Sequence, residues 1–277
     1  MIKDINDVKE FWEKNPLFSG ESQYKTGSKE FFDEHKKVYM EDVFANNFEE
    51  KKFIPKLSQN KKVLDLGCGI GFWTIEMIRR GNYKNMYSAD LTQTALDNVS
   101  KRLKINGLES ILSIQNAEDM TYDNNFFAHI NCQGVIHHTP NTEKTVQKMA
   151  RVLEDNGTAY ISVYYKNFFL RNWDKIRFIG KIFSNFGAKL KGRGRENIFT
   201  QTNVDEITRL YDGDSNPIGK SYSKKEAIAL VNEYFFVDSM FLNSFPARSL
   251  PFKIPNTLHR YLSKNMGFMI HLSLRKR

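Results

Sequence analysis

The sequence predicts an α/β fold: a mostly parallel sheet with helices on both faces. Three observations predict it. Between residues 61 and 165 the hydrophobic period switches repeatedly between 2 and 3.6, so short apolar runs alternate with helix-length amphipathic ones. Three closely spaced glycines follow the first apolar run, in VLDLGCGIGFW from Val63 to Trp73. Polar residues, Asp90, Asn116 and Gln133, then fall where the later runs end. In open parallel sheets ligands lie beyond the carboxyl ends of the strands, so function is expected at those positions.

Taken in order, residues 1–60 are expected to form an N-terminal helical cap. The turn-like NPLFSGES is followed by Phe31, Phe32, Tyr39, Val43 and Phe44 at roughly helical spacing. Residues 61–165 form the expected ligand-binding core. KKVLDLG is a buried strand and FWTIEMIRRG a helix closed by Gly81. NMYSADL is the second strand, and TQTALDNVSKRLKING the second helix, with Thr92 as N-cap. ILSIQNA and AHINCQGVI are the third and fourth strands, TEKTVQKMARVLEDNG a helix, and TAYISVYY the fifth strand. From 166 to 222 the alternation stops, which predicts an inserted helical lid. Residues 223–277 add the helix SKKEAIALVNEY and the strands FFVDSMFLN and GFMIHLSLRKR. The link between those strands holds Pro246, Pro251 and Pro255 and a short helical candidate, NTLHRYLSK, but no crossover helix of standard length, so the pair is expected to be antiparallel. All four parts are read as a single domain.

Composition narrows the setting. No apolar run approaches the roughly 18 residues of a membrane span, and MIKDINDVKEFW is not a signal peptide, so a cytoplasmic protein is expected. The two cysteines, Cys68 and Cys132, form no CxxC pair, which disfavours a zinc site or a disulfide framework, and no metal is expected. Net charge is +9, yet nine Lys/Arg against the single acid Asp174 fall between Lys166 and Arg195. The basic character belongs to that segment. Its stretch FFLRNWDKIRFIGKIFSNF sets Phe169, Trp173, Ile176, Gly180 and Phe183 along one helical stripe, with Arg171, Lys175, Arg177 and Lys181 away from it. A lid helix over the pocket is the favoured meaning. A helix on an anionic membrane surface is the sharper alternative, and nucleic acid or an anionic small substrate comes third.

The glycine loop discriminates among cofactors. A P-loop requires GxxxxGK[ST], which is absent. A dinucleotide fingerprint requires GxGxxG, but Phe72 stands where the third glycine belongs. An acid before GxGxG suits a ligand with an amino-acid end and no phosphate, and S-adenosylmethionine is such a ligand. Asp65 can then anchor its cationic end, directly or through water, and Asp90 can accept both ribose hydroxyls.

Together VLDLGCGIG, YSADLTQTAL, QNAEDM, GVIHHTPN and ARVLEDNGTAYIS, in that order, resemble the class I S-adenosylmethionine-dependent methyltransferases of the small-molecule type. The resemblance covers residues 61–165 and implies a Rossmann-like, seven-stranded sheet, with S-adenosylhomocysteine as product. It implies that Asp65, Gly67, Cys68, Gly69 and Gly71 surround the methionine end and that Asp90, with Leu91, holds the ribose. It places the adenine at Asn116, Ala117 and Glu118, and Gln133 under the sulfonium side. Tyr39 and Tyr24 are candidates to cover the cofactor from the cap. Two departures stand out: the family commonly has Asp where this chain has Asn116, and an Asp opening the fourth strand where it has Ala128.

His137 and His138 in GVIHHTP are the candidate general bases, because an imidazole titrates near neutral pH. The chain has no [DNS]PP[YFW] stretch after the fourth strand and no Pro-Cys pair, which disfavours nucleobase methylation. The expected partner is a small-molecule acceptor methylated on oxygen or nitrogen; the alternatives are a peripheral-membrane methyltransferase of a lipid-linked or quinone-like acceptor, and an RNA-binding protein or RNA methyltransferase. YDGDSNPIGKSYS, Tyr211 to Ser223, is expected to return the chain to the core and to line the acceptor site.

Overall fold

The computed structural model describes residues 3–185, 201–213, 215–250 and 252–277. The chain starts with a helix that periodicity alone does not reveal, α1 (Ile5–Lys14). Asp4 caps it, accepting from the Asn6 and Asp7 N–H groups, and the Asp7 carboxylate receives Asp4 N–H in return. The expected cap helices are α2 (Lys29–Phe44), opened by Ser28, and the short α3 (Glu50–Phe53).

The core then alternates as expected: β1 (Lys62–Leu66), α4 (Phe72–Gly81), β2 (Asn85–Asp90), α5 (Gln93–Asn106), β3 (Ile111–Ile114), β4 (Phe127–Gln133), α6 (Thr142–Val152) and β5 (Leu153–Tyr165). Thr92 caps α5 through Ala95 N–H. One boundary moves. LEDNG, expected to end a helix, instead opens β5 as an irregular stretch, where the register jumps from Phe127↔Leu153 to His129↔Thr158 and Asn156 takes φ 58°.

After β5 come α7 (Phe168–Arg171), α8 (Trp173–Asn185), α9 (Val204–Leu210), β6 (Ser221–Tyr222), α10 (Lys224–Val231), β7 (Phe235–Asn243), α11 (Asn256–Met266) and β8 (Met269–Lys276). The strand order is β3-β2-β1-β4-β5-β8-β7, with the two-residue β6 beside β5 as an eighth member. Strands β1 to β6 pair in parallel, and β8 runs antiparallel to both β5 and β7.

The single basic stripe breaks at Asn172 between α7 and α8. Trp173 is buried with Leu170 and Ile207, but Phe169, on the same expected stripe, is exposed. Residues 186–195 of the basic segment, and the side chains of Gly180, Lys181 and Phe183, lie outside the described residues. Among the described residues no helix is long and apolar enough to cross a membrane. The cap is fixed to the core by an aromatic cluster in which Phe44 and Phe53 pack against Phe72 and Trp73 of α4.

Candidate active site

Beyond the carboxyl ends of the parallel strands lies a cavity of ≈ 360 Å³, a volume suited to a small molecule. Strand ends supply Leu66, Gly67, Asp90, Asn116, Gln133 and Ser162 to its wall. Helices α1 and α2 roof it with Ile5, Val8, Trp12, Tyr39 and Val43. The insertion after β5 reaches it only through Tyr211 and Asp212 among the described residues, so α7 and α8 do not form its lid.

The loop after β1 is bent by necessity. Gly67 has φ +72°, and a Cβ there would stand 2.3 Å from Val135 Cγ2. Its N–H and that of Cys68 both donate to the Ala89 carbonyl, at 2.7 and 3.0 Å, tying the loop to the end of β2. At Gly69, φ +53°, a Cβ would meet only Leu17 at 3.9 Å, so this stretch of backbone is open to the cavity.

Asp90 braces the same loop. Its Oδ2 accepts Gly69 N–H at 3.0 Å, and its Oδ1 accepts Thr92 N–H at 3.0 Å and Thr92 Oγ1–H at 2.9 Å. Oδ1 has both its lone pairs engaged, and Oδ2 keeps one for a further donor. Burial raises the Asp90 pKa, and the bonds from Gly69 and Thr92 work against that rise.

Asp65 does not reach the cavity wall. It is 2% exposed, with Oδ2 accepting from Thr74 Oγ1 at 2.7 Å and Oδ1 from Asn131 Nδ2 at 2.8 Å. Burial pushes its pKa up to about 6 against those two bonds. It meets the cavity indirectly: Gln133 Nε2 donates to Asn131 Oδ1 at 2.8 Å, and Gln133 Oε1 is buried with no partner.

The two histidines part company. His137 is fully buried and absent from the wall, its ring 4.1 Å from that of Tyr164, and burial holds its pKa well below the usual imidazole range. His138 lines the cavity. Its Nδ1 lies 2.7 Å from the Ile218 carbonyl, which can only accept, so Nδ1 carries the proton and Nε2 is the basic nitrogen. Nε2 is 3.5 Å from Asp212 Oδ2, an oxygen that also receives the Tyr164 hydroxyl at 2.8 Å.

Of the expected residues, Gly67, Gly69, Asp90, Leu91, Asn116, Ala117, Gln133, Tyr39 and His138 therefore share one wall. Asp65, Cys68, Gly71, Glu118 and His137 stand behind it. Cys68 turns into the packing of Ile75, Leu96 and Val99, where burial drives its thiol pKa up. Gly71 caps α4, and Glu118 accepts Asn141 N–H at 2.6 Å. Asn116 spends its amide oxygen on Glu118 N–H at 2.9 Å, keeping one lone pair for an adenine amino group. Tyr24 is exposed and off the wall, whereas Tyr39 sits on it, held by Trp73 Nε1–H at 3.3 Å.

The sequence reading missed Trp12, Tyr164 and His271. Trp12 was findable, since D-I-N-D from Asp4 to Asp7 is a helix-opening signal; Tyr164 and His271 carry no local mark.

The donor set fits S-adenosylmethionine. No Lys or Arg stands on the described wall to neutralise a phosphate, while Asp90 and Asp212 both do stand there to favour a cation. An open glycine backbone and the orphaned Gln133 oxygen suit an amino-acid end.

Comparison with known proteins agrees. Residues 63–157 match the family described as methyltransferase domain. A ubiquinone biosynthesis O-methyltransferase of Azoarcus sp. (strain BH72) is 32% identical over 110 residues, 39% of this chain and 46% of that one. The 2-methyl-6-phytyl-1,4-hydroquinone methyltransferase 1 of Oryza sativa subsp. japonica is 28% identical over 98 residues, 35% of this chain and 29% of that one. The chain thus spans about half, or less, of the length of these relatives. The fold extends further. A geranyl diphosphate C-methyltransferase from Streptomyces coelicolor superposes with TM-score 0.59 at 13% identity, over 98% of this chain and 97% of that one. The PH0226 protein of Pyrococcus horikoshii superposes with TM-score 0.55 at 14% identity, over 97% and 99%. Residues 63–157 match the methyltransferase domain, and the chain as a whole shares the fold of these solved structures.

Proposed function

We propose that the chain transfers a methyl group from S-adenosylmethionine to an oxygen of a small hydroxylated aromatic acceptor. When bound, the cofactor supplies a sulfonium-activated methyl group for in-line displacement. Asp90 would hold the ribose and Gln133 Oε1 the ammonium group, with the Gly67–Gly69 backbone alongside. The observation that carries the reading is His138, on the cavity wall with Nδ1 pinned to a carbonyl and Nε2 beside Asp212, which lines the same cavity.

His138 Nε2 takes the acceptor's hydroxyl proton as the oxygen becomes nucleophilic. The imidazolium so formed lies 3.5 Å from the Asp212 carboxylate. Tyr164 fixes the carboxylate in place. Trp12, Tyr39 and Tyr211 present aromatic faces to the remainder of the acceptor. The names of the relatives, two methyltransferases of quinone-type compounds, support the acceptor class. Incubation with methyl-labelled S-adenosylmethionine and a panel of phenols, catechols and arylamines tests the reading. Label in the phenolic oxygens is expected; label confined to nitrogen, or none at all, overturns it.

A further inference from the structure

A second chamber of ≈ 240 Å³ adjoins the first. Seven described residues, among them Trp12, Tyr39, Tyr211 and Asp212, wall both spaces. The shared wall includes Asp212, the carboxylate beside His138, so the chamber lies next to the end of the cavity assigned to the acceptor's hydroxyl. Phe18, Val38, Val43, Phe245 and Pro246 supply the apolar part of the chamber's wall. Phe18 is held there by Phe31 and His35, with ring centroids at 5.7 and 5.2 Å.

Charge in the chamber is already matched. Arg248 is the one cation on its described wall, and it bridges Glu21 at 3.2 Å and Asp42 at 3.0 Å. His35 is 3% exposed, and burial, with Arg102 nearby, keeps its imidazole neutral. An anionic group would find no unpaired cation among the described residues of the wall, whereas an apolar one loses only water. Every residue of this wall lies outside 63–157, the stretch that matches the methyltransferase domain, so the chamber is not part of the matched segment.

We propose that this chamber is the acceptor's second subsite and receives an uncharged, apolar arm, while the hydroxyl-bearing head lies at His138. The Arg248 bridge to Glu21 and Asp42 holds the chamber's two sides, the cap and the loop after β7, at a fixed spacing and so limits the arm. This assignment rests on the acceptor reading above, but its test does not depend on turnover.

Calorimetric binding of phenol and of 4-alkylphenols from ethyl to octyl, with S-adenosylhomocysteine present, decides it. Affinity is expected to rise roughly fourfold per methylene while the arm fills the chamber and then to level off. Val38→Trp should flatten the series and leave phenol itself within about twofold. A flat series in the wild type, or an equal rise in Val38→Trp, overturns the proposal. Should Val38→Trp not fold, the wild-type series still decides: a rise without a plateau through octyl also overturns it. Alkylphenols that bind with the expected plateau and are never methylated would leave the chamber standing and remove the acceptor reading instead.

Discussion

Gln133 donates its Nε2–H to Asn131 Oδ1 at 2.8 Å, and that bond decides which end of the Gln133 amide remains unspent. The reason lies two residues away in the network. An ionised Asp65 can only accept, so Asn131 must present Nδ2 to it and Oδ1 to Gln133, and Gln133 must then present nitrogen. A buried carboxylate with no direct access to the cavity thereby sets the polarity of a group on its wall. Asn131→Leu should release the Gln133 amide and weaken S-adenosylmethionine binding about tenfold by calorimetry, close to the net value of a charge-assisted hydrogen bond. Unchanged affinity would falsify the ammonium role of Gln133.

The pH dependence of Asp65 runs opposite to that of an ordinary paired carboxylate. Burial lifts its folded pKa to about 6, above the ordinary 3.8 of an aspartate, so the folded state holds more protons than the unfolded one between those values. Stability contributed by Asp65 is therefore full below about pH 4 and is lost as pH rises to 6, by about 3 kcal/mol. Glu76, whose pKa is lowered by Lys36 and Arg80 despite its burial, acts in the reverse sense, so the isolated effect must be read from a difference. Urea midpoints of wild type and Asp65→Asn at pH 4.5 and 6.5 supply it. The wild type should lose ground to the variant at the higher pH, and a constant difference would show that Asp65 titrates normally.

The adjacent histidines should separate kinetically. His138→Gln removes the basic nitrogen at the wall and is expected to lower kcat by roughly 10²- to 10⁴-fold, with S-adenosylmethionine affinity kept within about twofold. His137→Phe fills the same buried space beside Tyr164 without an imidazole and should retain most of the rate. A larger loss for His137→Phe than for His138→Gln would reverse the assignment.

Glu13 latches the first helix to the core. Its carboxylate accepts Gln93 N–H at 3.0 Å, Thr94 N–H at 3.0 Å and Thr94 Oγ1–H at 2.7 Å, at the positive end of α5. Glu13→Ala should cost about 1–2 kcal/mol in stability. Because α1 carries Trp12 over the cavity, KM for the acceptor should rise as well. Limited proteolysis before residue 28 that is no faster in the variant would show that the latch is dispensable.

The core was legible because each strand end carries both a periodicity change and a polar residue. Thr92 and Gly107 mark the two ends of α5 by local chemistry, and the structure uses them so. Asn156-Gly157 reads as a helix end by the same logic, yet tertiary pairing with β4 pulls those residues into an irregular strand. The site divides likewise. Residues that bind through backbone or sit at strand ends, such as Gly67, Asp90 and Gln133, announce themselves in sequence. Asp212 and His271 reach the cavity from elements far along the chain, and only the antiparallel return of β8, opposite Ser162 on β5, brings His271 there. A motif also cannot say which neighbour faces inward. Cys68 and Gly69, like His137 and His138, differ by one position and stand on opposite sides of the wall.

Phe72, the residue that spoils a dinucleotide fingerprint, has its ring centroid 4.3 Å from that of Tyr39 on the roof. The position at which a third glycine would let a helix settle closely on its strand has become the hinge pin between core and cover. A fragment cut to residues 61–165 would leave Phe72 and Trp73 facing water with their partners Phe44 and Phe53 gone. Such a fragment should be sticky and insoluble. The change that turned this loop away from diphosphates has made the catalytic core unable to stand uncovered.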